Sequence, residues 1–158
     1  MLLVDPSKRA SRLSSMNEKL KAQLIRHEGV RSRVYRDSRG YNTIGVGRNV
    51  DTDGGLGLSV DEIEYMLNND VNRCFEELMV FPWFQNLDAV RRAALVNMHF
   101  NLGLPRLLRF ERMIDALMKR DFDEAALEAL DSRWAQQVGQ RAIEVAEMIK
   151  TGDWPKGG

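Results

Sequence analysis

The sequence predicts an α+β fold. It reads as a small front lobe of one helix and a β-hairpin, a long linking helix, and a helical back lobe. Three observations carry this. Strand alternation with turn residues at its centre occurs in one stretch, residues 33–46. An apolar stripe at helical spacing runs from Ile63 through Met66, Leu67, Val71, Cys74 and Phe75 to Leu78. From Asp88 onward the pattern is helical throughout, broken by Gly and Pro. At 158 residues, 44% hydrophobic, the chain is the size of one domain with a sizeable core.

Taken in order, residues 1–14 read as a flexible basic lead-in. Ser15 and Glu18 form a capping box that opens a helix carrying Leu20, Leu24 and Ile25 on one face, with Gly29 as its stop. Val34 and Tyr35 begin a strand, Ser38-Arg39-Gly40 is turn chemistry, and Tyr41, Thr43, Ile44 and Val46 return. Gly45 and Gly47 inside that return mark bulges or a close approach by another backbone or a ligand. Asp51–Gly57 is a loop, and it completes a front lobe over residues 15–58. Ser59 and Glu62 form a second capping box, opening the linking helix of residues 59–80. The back lobe, 81–158, has Asp88 as a cap for a helix apolar nearly all round, Ala89–Phe100, ended by Gly103 and Pro105. Shorter helices are expected at Phe110–Met118, Asp123–Leu130 and Gln140–Lys150. The three segments make a single domain overall.

Composition excludes several classes. No apolar run approaches the roughly 18 residues needed to cross a bilayer, so stable membrane insertion is not expected. One cysteine, Cys74, and two distant histidines, His27 and His99, leave no disulfide framework and no multi-cysteine zinc site. No metal and no organic cofactor are expected. No nucleic-acid-binding module is recognisable. The apolar run before Asp5 and Pro6 is too short to be recognised as the core of an export signal, so the product is expected in the cytosol. Net charge is zero but uneven. Residues 1–50 hold 11 Lys and Arg against 4 Asp and Glu, and residues 51–158 hold 12 against 19. The basic front suits an anionic partner or cancels internally against the back lobe.

The candidate chemistry lies in Glu28-Gly29, Tyr35-x-Asp37 and Gly40-x-x-Thr43-Ile44-Gly45-x-Gly47. Two carboxylates stand nine residues apart in a stretch poor in acids. Glu28 falls at the negative end of a helix beside Ile25 and Val30, which disfavours its charged form and is expected to raise its pKa. Asp37, at the hairpin mouth, is expected to stay ionised. Unlike carboxyls of this kind suit cleavage of a glycosidic bond, one donating a proton and the other activating water or stabilising the cation. A turn centred on Gly40 would set Asp37 across from Thr43, whose hydroxyl then helps hold that water. The same residues also suit a surface acid, a turn opener and a strand former, so spacing alone leaves both readings open.

This stretch resembles the signature of the phage-type lysozymes, the family of the T-even bacteriophage lysozyme. The likeness continues through Asp88–Leu95, Asn97, Met98, Phe100 and Gly103, then Asp123–Ala126, Ser132-Arg133-Trp134, Arg141-Ala142 and Thr151-Gly152-x-Trp154. It implies a lysozyme-like fold and a muramidase that cuts the β-1,4 bond between N-acetylmuramic acid and N-acetylglucosamine in peptidoglycan. Glu28 is then the general acid, with Asp37 and Thr43 positioning water and inversion as the outcome, for which the carboxyls lie roughly 6.5–9.5 Å apart. Arg141 matches an arginine directed toward the catalytic Glu, and Phe100 matches an aromatic lining the sugar cleft. Asn97 and Trp134 are assigned supporting or substrate-binding places, Trp134 being also a natural lobe-core residue. Arg48 replaces a histidine common in the family and is expected to pair with Asp70 as a structural ion pair. Met113 and Glu128 stand where that lysozyme has small polar residues along the glycan groove. Arg31, Arg33, Arg36 and Arg39 either solvate the first strand or draw the protein to anionic wall polymers, the local excess of positive charge favouring the second.

The resemblance therefore implies an endolysin, monomeric, with glycan strands of peptidoglycan as its partner. It is held in the host cytoplasm until released and then acts in the periplasm on the cell wall. Two rivals remain: a lytic transglycosylase, which needs one catalytic Glu and yields an anhydro sugar, and a non-catalytic peptidoglycan-binding or virion structural module.

Overall fold

The computed structural model describes the backbone of residues 6–156 and side chains from residue 16 onward. Residues 1–5 of the expected lead-in lie outside the described residues. The chain divides into two compact units, residues 1–63 and 64–158.

In the first unit, α1 spans Pro6–Glu28. It begins nine residues before the expected Ser15 cap. The reason is local: Pro6 has the fixed φ and missing N–H that suit a first helical position, and nothing from Ser7 to Ser14 breaks a helix. Gly29 ends it as expected, at φ +76°, its N–H bonded to Ile25 O at 2.9 Å. A three-stranded antiparallel sheet follows in the order β1 (Arg31–Arg36), β2 (Asn42–Gly45), β3 (Arg48–Asn49). The predicted hairpin is thus a meander. The last strand is split off by the turn at Gly45-Val46-Gly47, where both glycines have positive φ.

The register differs from the sequence expectation. Thr43 pairs with Tyr35 and Arg36 with Asn42. The turn therefore centres on Arg39, because the Asp37 side chain organises it. Asp37 Oδ1 accepts from the backbone N–H groups of both Arg39 and Tyr41, each at 2.9 Å. Gly40, at φ +85°, supplies the left-handed residue the turn requires.

Helix α2, Val60–Met79, opens at the expected cap, with Ser59 N–H donating to Glu62 Oε2 at 2.9 Å. Its first turn belongs to the first unit and the remainder to the second. The second unit is helical: α3 (Pro82–Gln85), α4 (Ala89–Leu102), α5 (Leu104–Leu107), α6 (Glu111–Met118), α7 (Phe122–Leu130), α8 (Arg133–Val138) and α9 (Gln140–Thr151). Asp88 caps α4 by accepting from Arg91 N–H at 3.0 Å. Pro105 does not simply follow a helix end; it sits in the first turn of α5. The hydrophobic core lies in this unit, around Phe84, Leu95, Met98, Leu107, Val145 and Ile149, all fully buried. At roughly 1.5–3 kcal/mol for each large apolar side chain buried, it is the main source of the unit's stability. No helix among the described residues is long and apolar enough to cross a membrane.

Candidate active site

The three residues singled out for chemistry all lie in the first unit. Glu28 is the last residue of α1, so its side chain leaves the helix where the chain turns into β1. Its exposed carboxylate lies against the β2–β3 turn. A Cβ built on Gly47 would stand 3.1 Å from Glu28 Oε2 and 3.3 Å from its Cδ. Gly47 also has φ +72°. The left-handed backbone favours glycine there, and an added Cβ would also crowd the Glu28 carboxylate. The close approach at Gly47 is thus made by a side chain, neither backbone nor ligand, whereas a Cβ on Gly45 would meet nothing within 4 Å.

Asp37 is half-buried one residue past β1. Its Oδ1 is spent on the turn, and its Oδ2 makes no hydrogen bond among the described residues. Thr43 is 2% exposed, and its Oγ1 donates to Tyr41 O at 3.0 Å. With its hydrogen committed there, the hydroxyl offers only lone pairs to anything approaching. Asp37 N–H bonds to Tyr41 O at 3.0 Å, continuing the ladder past the strand end. Residues 37, 41 and 43 therefore share one face by period-two alternation, although Thr43 is diagonal to Asp37 and not opposite it.

The expected Arg48–Asp70 pair is corrected. Arg48 Nη1 binds Glu62 Oε2 at 2.6 Å and Gly57 O at 3.2 Å. The loop after β3 returns the first turn of α2 to Arg48, and Glu62 is already oriented there by the Ser59 cap. That backbone hydrogen bond, against a smaller opposing effect of burial and with help from Arg48, holds the Glu62 carboxyl below the usual range. Asp70 pairs along its own helix with Arg73 at 3.5 Å.

In the second unit, Arg141 donates from Nε to Asn97 Oδ1 at 2.8 Å and from Nη2 to Asn97 O at 3.2 Å. Phe100, one turn beyond Asn97, lines the same apolar groove of about 610 Å³, with Val71, Phe75 and Trp154. Trp134 lies elsewhere. It is buried, packs edge-on to Phe110, donates its indole N–H to Asn101 Oδ1 at 2.8 Å, and floors a different pocket. Sequence reasoning missed Gly47 as a steric partner of Glu28 and Glu62 as the partner of Arg48. The Ser59–Glu62 capping box was the available signal for the second.

A meander closing on the end of a helix, followed by an all-helical unit, is a lysozyme-like α+β fold. The phage lysozyme family model matches residues 25–147, well over half the chain, and the chain belongs to that family. It is 26% and 27% identical to the probable T4-type lysozymes 1 and 2 of Dictyostelium discoideum; each match covers 87% of this chain and 96% of the relative. It is also 28% identical to the pre-baseplate central spike protein Gp5 of Enterobacteria phage T4, again over 87% of this chain but only 28% of that longer protein.

Proposed function

We propose that this protein is a peptidoglycan muramidase that hydrolyses the β-1,4 bond between N-acetylmuramic acid and N-acetylglucosamine with inversion. Glu28 donates a proton to the leaving glycosidic oxygen. Asp37, through its uncommitted Oδ2, accepts a proton from water as that water attacks the anomeric carbon from the opposite side. Thr43 accepts the water's second hydrogen, since its own is held by Tyr41 O. The observation that carries this reading is the division of labour at Asp37: one oxygen builds the turn and the other is left over. A purely structural turn aspartate would need no buried threonine hydroxyl on the same face. Asn97, Phe100 and Arg141 are proposed to contact the glycan, Phe100 by packing on a sugar face. Family membership supports the assignment.

In the cell the same reading makes the protein an endolysin that reaches the wall after release from the cytoplasm. Its likeness to a phage spike protein supports a second placement, carried in the virion. The test of the chemistry is muropeptide mass spectrometry with turbidity clearing of outer-membrane-permeabilised cells. Hydrated reducing ends are expected, and anhydro ends would assign a transglycosylase. Glu28→Gln is expected to slow clearing by about 10²–10⁴-fold, the usual worth of a general acid. Clearing by that variant at the parent rate would remove Glu28 from the mechanism.

A further inference from the structure

In an antiparallel ladder, two residues that face each other as a hydrogen-bonded pair exchange both bonds. Asn42 and Val50 stand in that relation, one step beyond the pairs Thr43–Asn49 and Ile44–Arg48. Val50 N–H donates to Asn42 O at 2.8 Å. Asn42 N–H, whose ladder partner would be Val50 O, donates instead to Asp51 Oδ2 at 2.7 Å. The Asp51 carboxylate is held there by its own loop. Asp51 N–H donates to Asn49 Oδ1 at 2.9 Å, and Leu56 N–H closes the loop on Asn49 O at 2.9 Å. Gly55 packs on Asp51 with no room for a side chain: a Cβ there would meet Asp51 O and, at 2.6 Å, Asp51 N.

Asn42 immediately precedes Thr43, and the Thr43 hydroxyl donates to the carbonyl oxygen of Tyr41, the residue on the other side of Asn42. Tyr41, Asn42 and Thr43 therefore move as one piece, and the bond to Asp51 anchors its middle. Hydrogen bonds to a carboxylate are shorter and stronger than those to a neutral oxygen, so this anchor is firmer than the ladder bond it replaces. We infer that Asp51 is a positioning residue for the attacking water: by fixing Asn42 it fixes the Thr43 hydroxyl, a part that rests on the role proposed above for Thr43. Asp51 acts through the backbone of Asn42 and exchanges no proton in the reaction.

The test reads the full chain in two ways: amide hydrogen exchange at Asn42, and kcat and KM on soluble peptidoglycan fragments well below each variant's melting point. Asp51→Ala is expected to speed Asn42 exchange by about tenfold or more, the worth of a bond to a charged group. It is expected to lower kcat by about ten- to a hundredfold with KM little changed, since the residue moves a reacting group and holds no sugar. Asp51→Asn keeps an acceptor oxygen and is expected to recover most of both losses. Gly55→Ala keeps the carboxylate but displaces its loop, and is expected to reproduce the Asp51→Ala pattern. Thr43→Val supplies the coupling: Asp51→Ala should cost less kcat in that background than in the parent, whereas a generally weakened fold would cost the same in both. Unchanged Asn42 exchange or parent kcat in Asp51→Ala, no recovery in Asp51→Asn, or additive losses with Thr43→Val would each overturn the role of Asp51. A parent chain that yields no hydrated reducing ends, or a Thr43→Val variant as fast as the parent, would instead bring down the proposed reaction and the role of Asp51 with it.

Discussion

Replacing Gly47 with alanine separates the two demands that this position meets. The new Cβ meets Glu28 Oε2 at 3.1 Å and its Cδ and Cγ at 3.3 Å, so the carboxylate must retreat by a few tenths of an ångström. The backbone at φ +72° adds the left-handed penalty of roughly 1–2 kcal/mol for a residue with a Cβ. In a chain of this length that corresponds to a fall in Tm of about 2–8 °C. Gly54 is the control. Its φ is +76°, and a Cβ there meets nothing within 4 Å. Gly54→Ala is therefore expected to show a similar thermal loss and to clear permeabilised cells at the parent rate at 25 °C. Gly47→Ala is expected to clear them about ten- to a hundredfold more slowly at the same temperature, because displacement of a reacting group by ångström fractions is costly to rate. The assay pairs thermal unfolding with turbidity kinetics well below both melting points. Equal activity of the two variants would refute the idea that Gly47 sets the position of the Glu28 carboxylate.

Three further outcomes follow from the second unit. Arg91→Ala is expected to lower stability by about 2–3 kcal/mol in a guanidinium titration, since a charged donor is lost from the C-terminal carbonyls of α9. Arg91 is largely buried, donates to Ile149 O and Lys150 O at 2.6 and 2.9 Å, and stacks 3.6 Å above the Phe122 ring; an unchanged midpoint would dismiss this strap. Asp88→Asn should narrow the pH dependence of stability. Burial alone would raise the Asp88 carboxyl, but hydrogen bonds and charge from Arg91 outweigh it and hold it below its usual range. The contribution is therefore complete above the unfolded aspartate value of about 3.9 and disappears as pH falls through the lower folded value, so parent and variant should converge in acid; a gap that stays constant down to pH 2 would contradict the linkage. Glu77→Gln should lower Tm more than His99→Val does. His99 is buried, its Nε2 rests 2.6 Å from Glu77 Oε2, and its Nδ1 already lacks a partner. Weakening that acceptor strands a polar ring, whereas valine removes the need for one; the reverse order of melting points would count against it.

Much local chemistry was legible where the deciding atoms are near in sequence, the Ser15 cap and the centre of the Asp37 turn being the exceptions. The caps at Ser59–Glu62 and Asp88, the stop at Gly29 and the helices α2, α4, α6, α7 and α9 all follow from side chains within a turn or two of the backbone they serve. Short elements were not legible. β3 has two residues, and α3 and α5 have four each, too few to display a period. Pro105 follows the end of α4 and also opens the one-turn α5, because the same ring suits both places.

By itself the sequence determined the α+β class and the family, and it singled out Glu28, Asp37 and Thr43 as candidates, since these are written as residue types in a fixed order. Tertiary structure alone decided that Glu28 leans on Gly47, that Arg48 takes Glu62, and that Trp134 and Phe100 line different pockets. Each of these depends on which atoms come within about 3 to 4 Å after the chain folds back, and hydrogen bonding and van der Waals contact act only at that range. A one-dimensional pattern carries spacing along the chain but not distance through space.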